Sequence, residues 1–123
     1  MAIPVQKQFT FHIPTGQQVS SQTVSIPAGK TMTITHVSGR LTVPAPQVAH
    51  VTLQTSAFEI DVSGATNSVH HYFPTVTQPG DQVVFAQSTN IATMGGHITI
   101  TVGRTSPSGT LDGQVTIVGQ LLP

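Results

Sequence analysis

The chain has 123 residues, enough for one domain with its own hydrophobic core, and it contains no cysteine, which excludes disulfide bonds and thiolate metal sites. Asp, Glu, Lys and Arg make up only 7% of the residues, compared with about 25% in typical soluble domains, and the formal net charge is zero. Four Lys and Arg residues are too few to form the basic surface that binds nucleic acids or anionic membranes, so neither partner is expected.

Apolar side chains alternate with hydroxyl and amide side chains along most of the chain. This period of two is typical of β-strands, in which successive side chains point to opposite faces, and it is clearest at residues 31–35 and 97–102. In chain order, the predicted strands are residues 6–13, 19–26, 30–38, 40–43, 48–55, 58–62, 69–76, 82–88, 97–102 and 111–122. Pro and Gly residues separate most of these segments, as expected for turns.

Three positions in these segments predict irregular features. Gly39 is expected to interrupt the strand pattern between residues 38 and 40. The apolar positions change from odd to even numbers after residue 55, which predicts a bulge or corner at Ser56 and Ala57. Pro74 lies inside the segment 69–76, and because proline cannot donate a backbone hydrogen bond, this strand is predicted to lie at a sheet edge.

The short strands, joined by turns and without any long helical pattern, predict an all-β protein. We expect a single domain over residues 1–123, folded as a two-sheet antiparallel β-sandwich with Phe9, Phe11 and Ile13 in its core. A jelly-roll-like topology is preferred. An immunoglobulin-like sandwich is the alternative, and it is disfavoured because the Trp and the Cys pair typical of that fold are absent.

No apolar run approaches the roughly 18 residues that a transmembrane helix needs. The first residues also lack the basic and apolar regions of a signal peptide. A soluble protein is therefore expected, and the sequence does not predict its compartment.

Several segments resemble a loose group of small uncharacterised bacterial β-sandwich proteins. The similar segments are VSIPAGK at 24–30, ITHVSG at 34–39, HYF at 71–73 and GQVTIVG at 113–119. These motifs form corners and strands, so the resemblance implies a fold. It implies no functional residues.

The six histidines are candidates for metal ligands, because imidazole is the commonest metal ligand in proteins. His70 and His71 are adjacent, so in a strand their rings point to opposite faces and cannot bind one metal together. His36 and His71 share the parity of apolar neighbours and are expected to be partly buried. The histidines expected to be exposed are His12, His50 and His97. Since no strand carries an H-x-H pair, neither a metal site nor a cofactor is predicted.

Glu59 and Asp61 are the most suggestive polar pair, because residues two apart on a strand project from one face, about 7 Å apart. Such a pair can bind Ca²⁺, act as the acid and base of a glycoside hydrolase, or simply form part of a solvated face. Tyr72 beside His70 can stack on a sugar ring, and Asn67 adds hydrogen-bonding groups. The candidate ligand-binding residues are therefore Glu59, Asp61, Asn67, His70 and Tyr72.

No catalytic residues are predicted, because the chain has no G-x-S-x-G motif and its Gly95-Gly96 pair lacks the strand–loop–helix setting of a phosphate-binding loop. Few charges and many Thr, Val and Gln positions predict a surface that is easily desolvated, as protein interfaces require. We interpret the chain as a non-catalytic interaction or assembly module that forms homo-oligomers or docks to a protein or glycan. The alternatives are a lectin-like carbohydrate or small-ligand module assisted by calcium, and a metal-dependent enzyme of the cupin type.

Overall fold

The computed structural model describes residues 2–58, 66–94 and 96–122, with the backbone alone at residues 57, 58, 66 and 67. These residues form nine β-strands. The strands are β1 (Ile3–Ile13), β2 (Val19–Ile26), β3 (Thr31–Thr42), β4 (Ala49–Phe58), β5 (Thr66–Phe73), β6 (Val76–Gln78), β7 (Gln82–Thr93), β8 (Gly96–Arg104) and β9 (Leu111–Leu122).

The strands form two sheets in which every pairing is antiparallel. One sheet has the order β1-β9-β3-β7-β6 and the other has the order β2-β8-β4-β5. Every connection passes between the sheets except those of the β4–β5 and β6–β7 pairs. The predicted two-sheet antiparallel sandwich is confirmed, and this alternation between sheets is the jelly-roll arrangement. In an immunoglobulin domain the first two strands are neighbours in one sheet, whereas here β1 and β2 lie in different sheets.

The core lies between the inward faces of the two sheets. Phe9, Phe11 and Ile13 are almost fully buried, as their shared parity predicts. On the opposite side of the core, the second sheet contributes Ile98, Ile100 and Val102 of β8, which are also fully buried. On the strands that form the core, the alternation that is visible in the sequence therefore corresponds to a dry inner face and a wet outer face.

Strand β3 and the β4–β5 ladder each correct one of the sequence-based predictions. Gly39 does not interrupt it: the residue lies opposite Phe85, and a Cβ at position 39 would overlap the edge of the Phe85 ring. A bulge that was not predicted lies in β3 between Ile34 and His36, where the register with both β7 and β9 shifts. In the β4–β5 ladder, by contrast, pairing continues without a shift through Ser56 and Ala57, so of the predicted bulge or corner the bulge is wrong. The pairing of β4 with β8 does end just before this point, at Gln54.

Hydroxyl groups satisfy backbone carbonyls around this bulge. Thr89 donates a hydrogen bond of 2.7 Å to the Ile34 carbonyl, and Thr35 donates one of 3.3 Å to the Val118 carbonyl. The bulge also moves His36 onto the outer face, opposite Val118 and Ser88. His36 is half-buried as predicted, but it does not share the inward face of Ile34.

One end of the sandwich is held together by a buried arginine. Arg104, at the end of β8, is 2% exposed. Its guanidinium donates hydrogen bonds to the carbonyl oxygens of Pro14 (3.1 Å), Gln17 (2.8 and 3.1 Å) and Ser108 (3.1 Å). These carbonyls belong to the β1–β2 and β8–β9 loops. Their dipoles stabilise a buried charge that has no carboxylate hydrogen-bond partner in the described part of the chain.

Candidate interaction surface

The outer face of the sheet β2-β8-β4-β5 is built almost entirely from neutral polar side chains. We call it the hydroxyl face. Its members are Ser21, Thr23 and Ser25 of β2, His97, Thr99 and Thr101 of β8, His50, Thr52 and Gln54 of β4, and Ser68, His70 and Tyr72 of β5. They face outward because most of the residues between them carry the apolar side chains that fill the core.

The strand register arranges these side chains in rows across the sheet. The two central rows are Ser21–Thr101–Thr52–Tyr72 and Thr23–Thr99–Gln54–His70. Neighbouring side chains on one face of paired strands lie about 4.5–5.5 Å apart, so each row is continuous. Each row therefore runs from a hydroxyl at the β2 edge to an imidazole or phenol at the β5 edge.

Hydrogen bonds between hydroxyls order the β2 side of this face. Ser21 Oγ lies 2.8 Å from Thr101 Oγ1, and Thr23 Oγ1 lies 3.0 Å from Thr99 Oγ1. No member of the hydroxyl face is Asp, Glu, Lys or Arg. Burying this surface in a contact therefore requires the desolvation of hydroxyl, amide and imidazole groups, which is far less costly than the desolvation of full charges.

Tyr72 is the prominent side chain at the β5 edge. It is 77% exposed, which is unusual for an aromatic residue in a folded domain. His70 precedes it by two positions and faces the same way, and Thr52 and Gln54 are their partners on β4. The ring thus stands beside hydrogen-bonding groups at an accessible edge.

The five candidate ligand-binding residues fall into two groups. The structure brings His70 and Tyr72 together on the hydroxyl face. Asn67 pairs with Ala57 in the β4–β5 ladder, and its side chain lies outside the described part of the structure. Glu59 and Asp61 lie outside the described residues altogether, so the carboxylate pair stays a prediction.

His71 faces the opposite way from His70, toward the space between the sheets. Its Nε2 lies 3.2 Å from the hydroxyl oxygen of the buried Thr55. Burial lowers the pKa of His71 below its usual value of 6.5, and the nearby His70 lowers this pKa further. The expectation that the adjacent rings point to opposite faces is confirmed, and His71 is half-buried as predicted.

The four sheet edges differ in how they are protected. Edge strand β1 carries Pro4 and an inward-facing Lys7, whose ammonium lies 5.7 Å from the Phe9 ring centroid. The Gln22 side chain of β2 donates a hydrogen bond to the Thr10 carbonyl of β1. Lys7 also lines the apolar groove of about 290 Å³ between β1 and β2, so it lies beside both edges on that side.

On the opposite side, β6 is only three residues long and is soon followed by Pro79. Strand β5 is eight residues long and contains neither proline nor a fully charged residue. Charged side chains, prolines and short strands are the usual means by which sheet edges avoid pairing with other chains. The predicted single strand over residues 69–76 is wrong, because β5 ends at Phe73, before Pro74, and β6 begins at Val76 in the other sheet. Both are edge strands, so the predicted edge position is confirmed.

A cleft of about 350 Å³ lies near the β3–β4 and β6–β7 loops. It is lined mainly by Val43, Pro46, Pro79 and Val83, with Asp81 as its one ionisable lining residue. A single carboxylate without a base, a nucleophile or a metal partner does not form a catalytic constellation. The cleft is therefore weaker than the hydroxyl face as a candidate site.

The described residues contain no group of three or more His, Asp or Glu side chains that could hold a metal ion. Within the same ranges, no helix has the length and apolar character needed to cross a membrane. No family model matches the chain, and no curated protein is significantly similar to it.

Proposed function

We propose that this protein is a non-catalytic assembly module that acts by associating with copies of itself. The observation that carries the proposal is the absence of Asp, Glu, Lys and Arg from the hydroxyl face, which extends across all four strands of its sheet. Protein interfaces are depleted in Lys, Glu and Asp at their centres and enriched in tyrosine. Tyr72 at 77% exposure fits that composition.

The charge balance of the whole chain also supports self-association. With four positive and four negative residues, the formal net charge is zero, so copies do not repel one another at long range. Many proteins stay monomeric through such repulsion. This chain has little of it, and so short-range contacts decide whether copies associate.

Native mass spectrometry and light scattering at micromolar concentration test this proposal. We expect a discrete species whose mass is a multiple of the 12.9 kDa chain. Because the proposed contacts are neutral, the mass should stay constant when the salt concentration is raised from low to molar. A monomer at all concentrations up to the millimolar range would contradict the proposal.

A second candidate function is the binding of carbohydrate, and the placement of Tyr72 favours it. An exposed ring flanked by His70, Thr52 and Gln54 offers a stacking surface beside hydrogen-bonding groups. A glycan array, run with and without Ca²⁺, tests this function. Binding that is lost in Tyr72→Ala but retained in Ser21→Ala would support it, whereas an array without any response would exclude it.

A further inference from the structure

We propose that a second copy of this chain pairs antiparallel with the edge of β5 that no described strand covers, so that the four-stranded sheet continues into the same sheet of its partner. This inference rests on the proposed self-association and names the surface that carries it. The two hydroxyl faces would then join into one larger face. Tyr72 and His70 would lie at the junction.

The first argument is the contrast between the edges. A chain that approaches β1 meets Pro4, the Lys7 ammonium and the Gln22 side chain, which already occupies the Thr10 carbonyl. A chain that approaches β2 meets Lys7 beside residues 24–26. An approach to β6 offers only three residues of backbone. Strand β5 offers eight residues of backbone that include neither a proline nor a full charge. Strand β2 is equally long and has the same composition in these respects, so among the described strands the contrast between β5 and β2 rests on the nearby Lys7 and on the Gln22–Thr10 hydrogen bond.

The second argument comes from the symmetry of self-pairing. When a strand pairs antiparallel with its own copy, residues near the two-fold axis lie opposite themselves or close neighbours. A Lys or Glu there would face a like charge, which destabilises a ladder. The segment TNSVHHYF contains no Asp, Glu, Lys or Arg, so it can pair with itself without this penalty at neutral pH.

The third argument is the position of Tyr72. Cross-strand pairs that include an aromatic residue contribute roughly 0.2–1 kcal/mol each, and an isologous interface contains every such pair of two different residues twice. In the isolated chain Tyr72 is 77% exposed, and its strand partner among the described residues is Thr52 on the β4 side. A neighbouring copy of β5 would cover it from the open side.

Two double variants test the inference. His70→Lys/Tyr72→Lys places two ammonium groups on the β5 edge, and Ser21→Lys/Thr23→Lys places two on the β2 edge of the same face. The pairs are matched, because Ser21 and Tyr72 share one row and Thr23 and His70 share the next. We expect the wild type to have twice the mass of the 12.9 kDa chain, the β5 variant to be monomeric, and the β2 variant to keep the wild-type mass.

The alternative outcomes are distinguishable. A monomeric wild type overturns the proposed function together with this inference. An associated wild type whose β5 variant is still associated overturns the inference alone. Loss of association in both variants would place the contact across the face rather than at the β5 edge, and this also overturns it.

Hydrogen exchange of the wild type provides a test that needs no variant. Backbone pairing between copies protects amide hydrogens of β5, so dilution below the dissociation constant should speed exchange in peptides that cover residues 66–73. Peptides from β2 should exchange equally fast at both concentrations. Exchange in β5 that does not change while the protein dissociates would overturn the inference, even if the lysine variants failed to fold.

Discussion

The Arg104 guanidinium donates two hydrogen bonds to the Gln17 carbonyl oxygen, from Nη2 at 2.8 Å and from Nε at 3.1 Å. The same side chain reaches the carbonyls of Pro14 and Ser108. One residue thereby fixes two loops at the end of the sandwich. Its effect on stability can be measured without reference to function.

We expect Arg104→Met to lower the free energy of unfolding by about 3 kcal/mol or more, because hydrogen bonds to a charged group contribute about 1.5–3 kcal/mol each and the carbonyls lose their donor. Urea denaturation checks this value. The matched control is Arg40→Met, since Arg40 is exposed and bonds only to Gln82 Oε1 among the described residues. The control should change stability by no more than about 0.5 kcal/mol. Equal effects in both variants would contradict the role assigned to Arg104.

The lowered pKa of His71 predicts that the fold is less stable in weak acid. In the unfolded chain the pKa returns to about 6.5, so below that pH the unfolded state binds more protons than the folded state. The stabilisation is fully present above pH 6.5 and is lost as the pH falls toward the folded-state pKa. Unfolding free energies measured between pH 8 and pH 5 should therefore decrease as the pH falls.

The variant His71→Gln isolates this contribution. It should reduce the decrease in stability between pH 8 and pH 5, although the loss of the Thr55 contact lowers stability at every pH. The control His97→Gln removes an exposed ring and should leave the decrease as it is in the wild type. A steeper decrease in His71→Gln than in the wild type would show that the sign is wrong.

Gly39→Ala should destabilise the protein by about 1–3 kcal/mol, because the added methyl group overlaps the Phe85 ring in a closely packed core. Thermal denaturation measures the loss. Combining it with Phe85→Leu should recover part of that loss, which a double-mutant cycle would detect as coupling between the two positions. Strictly additive effects would indicate that the ring does not lie over position 39.

The bulge in β3 predicts a ranking of two threonine substitutions. Thr89→Val removes a half-buried hydrogen bond of 2.7 Å to the Ile34 carbonyl and should lower the free energy of unfolding by about 1 kcal/mol. Thr35→Val removes an exposed bond of 3.3 Å to the Val118 carbonyl and should have the smaller effect. Chemical denaturation of both variants gives the order, and a larger effect at Thr35 would contradict it.

Sequence reasoning predicted the sandwich because alternation is a local signal that reports directly which side chains face inward. The inward parity of Phe9 and Phe11 and the exposure of His12 follow from neighbouring residues alone. The bulge at Thr35 was missed, although apolar residues pass there from even to odd positions between Ile34 and Val37. The change was hidden because His36 continues the even parity of Ile34 and was assigned to the inward face.

The candidate surface was only partly predictable, for a different physical reason. His70 and Tyr72 could be placed on one face from their spacing, but their partners Thr52 and Gln54 depend on which strands pair. An edge is defined by the absence of a neighbour, and pairing between distant segments is not encoded in local periodicity. Pro74 was the single local clue, and it marks the end of β5 rather than its free side.

If copies associate through β5 as proposed, then Pro4, Lys7 and Gln22 at the opposite edges decide how large the assembly becomes. A sheet that can be extended at both margins adds copies without limit and forms filaments, whereas one that is open at a single margin is complete after one addition. In a protein so rich in strands and so poor in charge, that protected edge would then separate a closed dimer from an open-ended fibre.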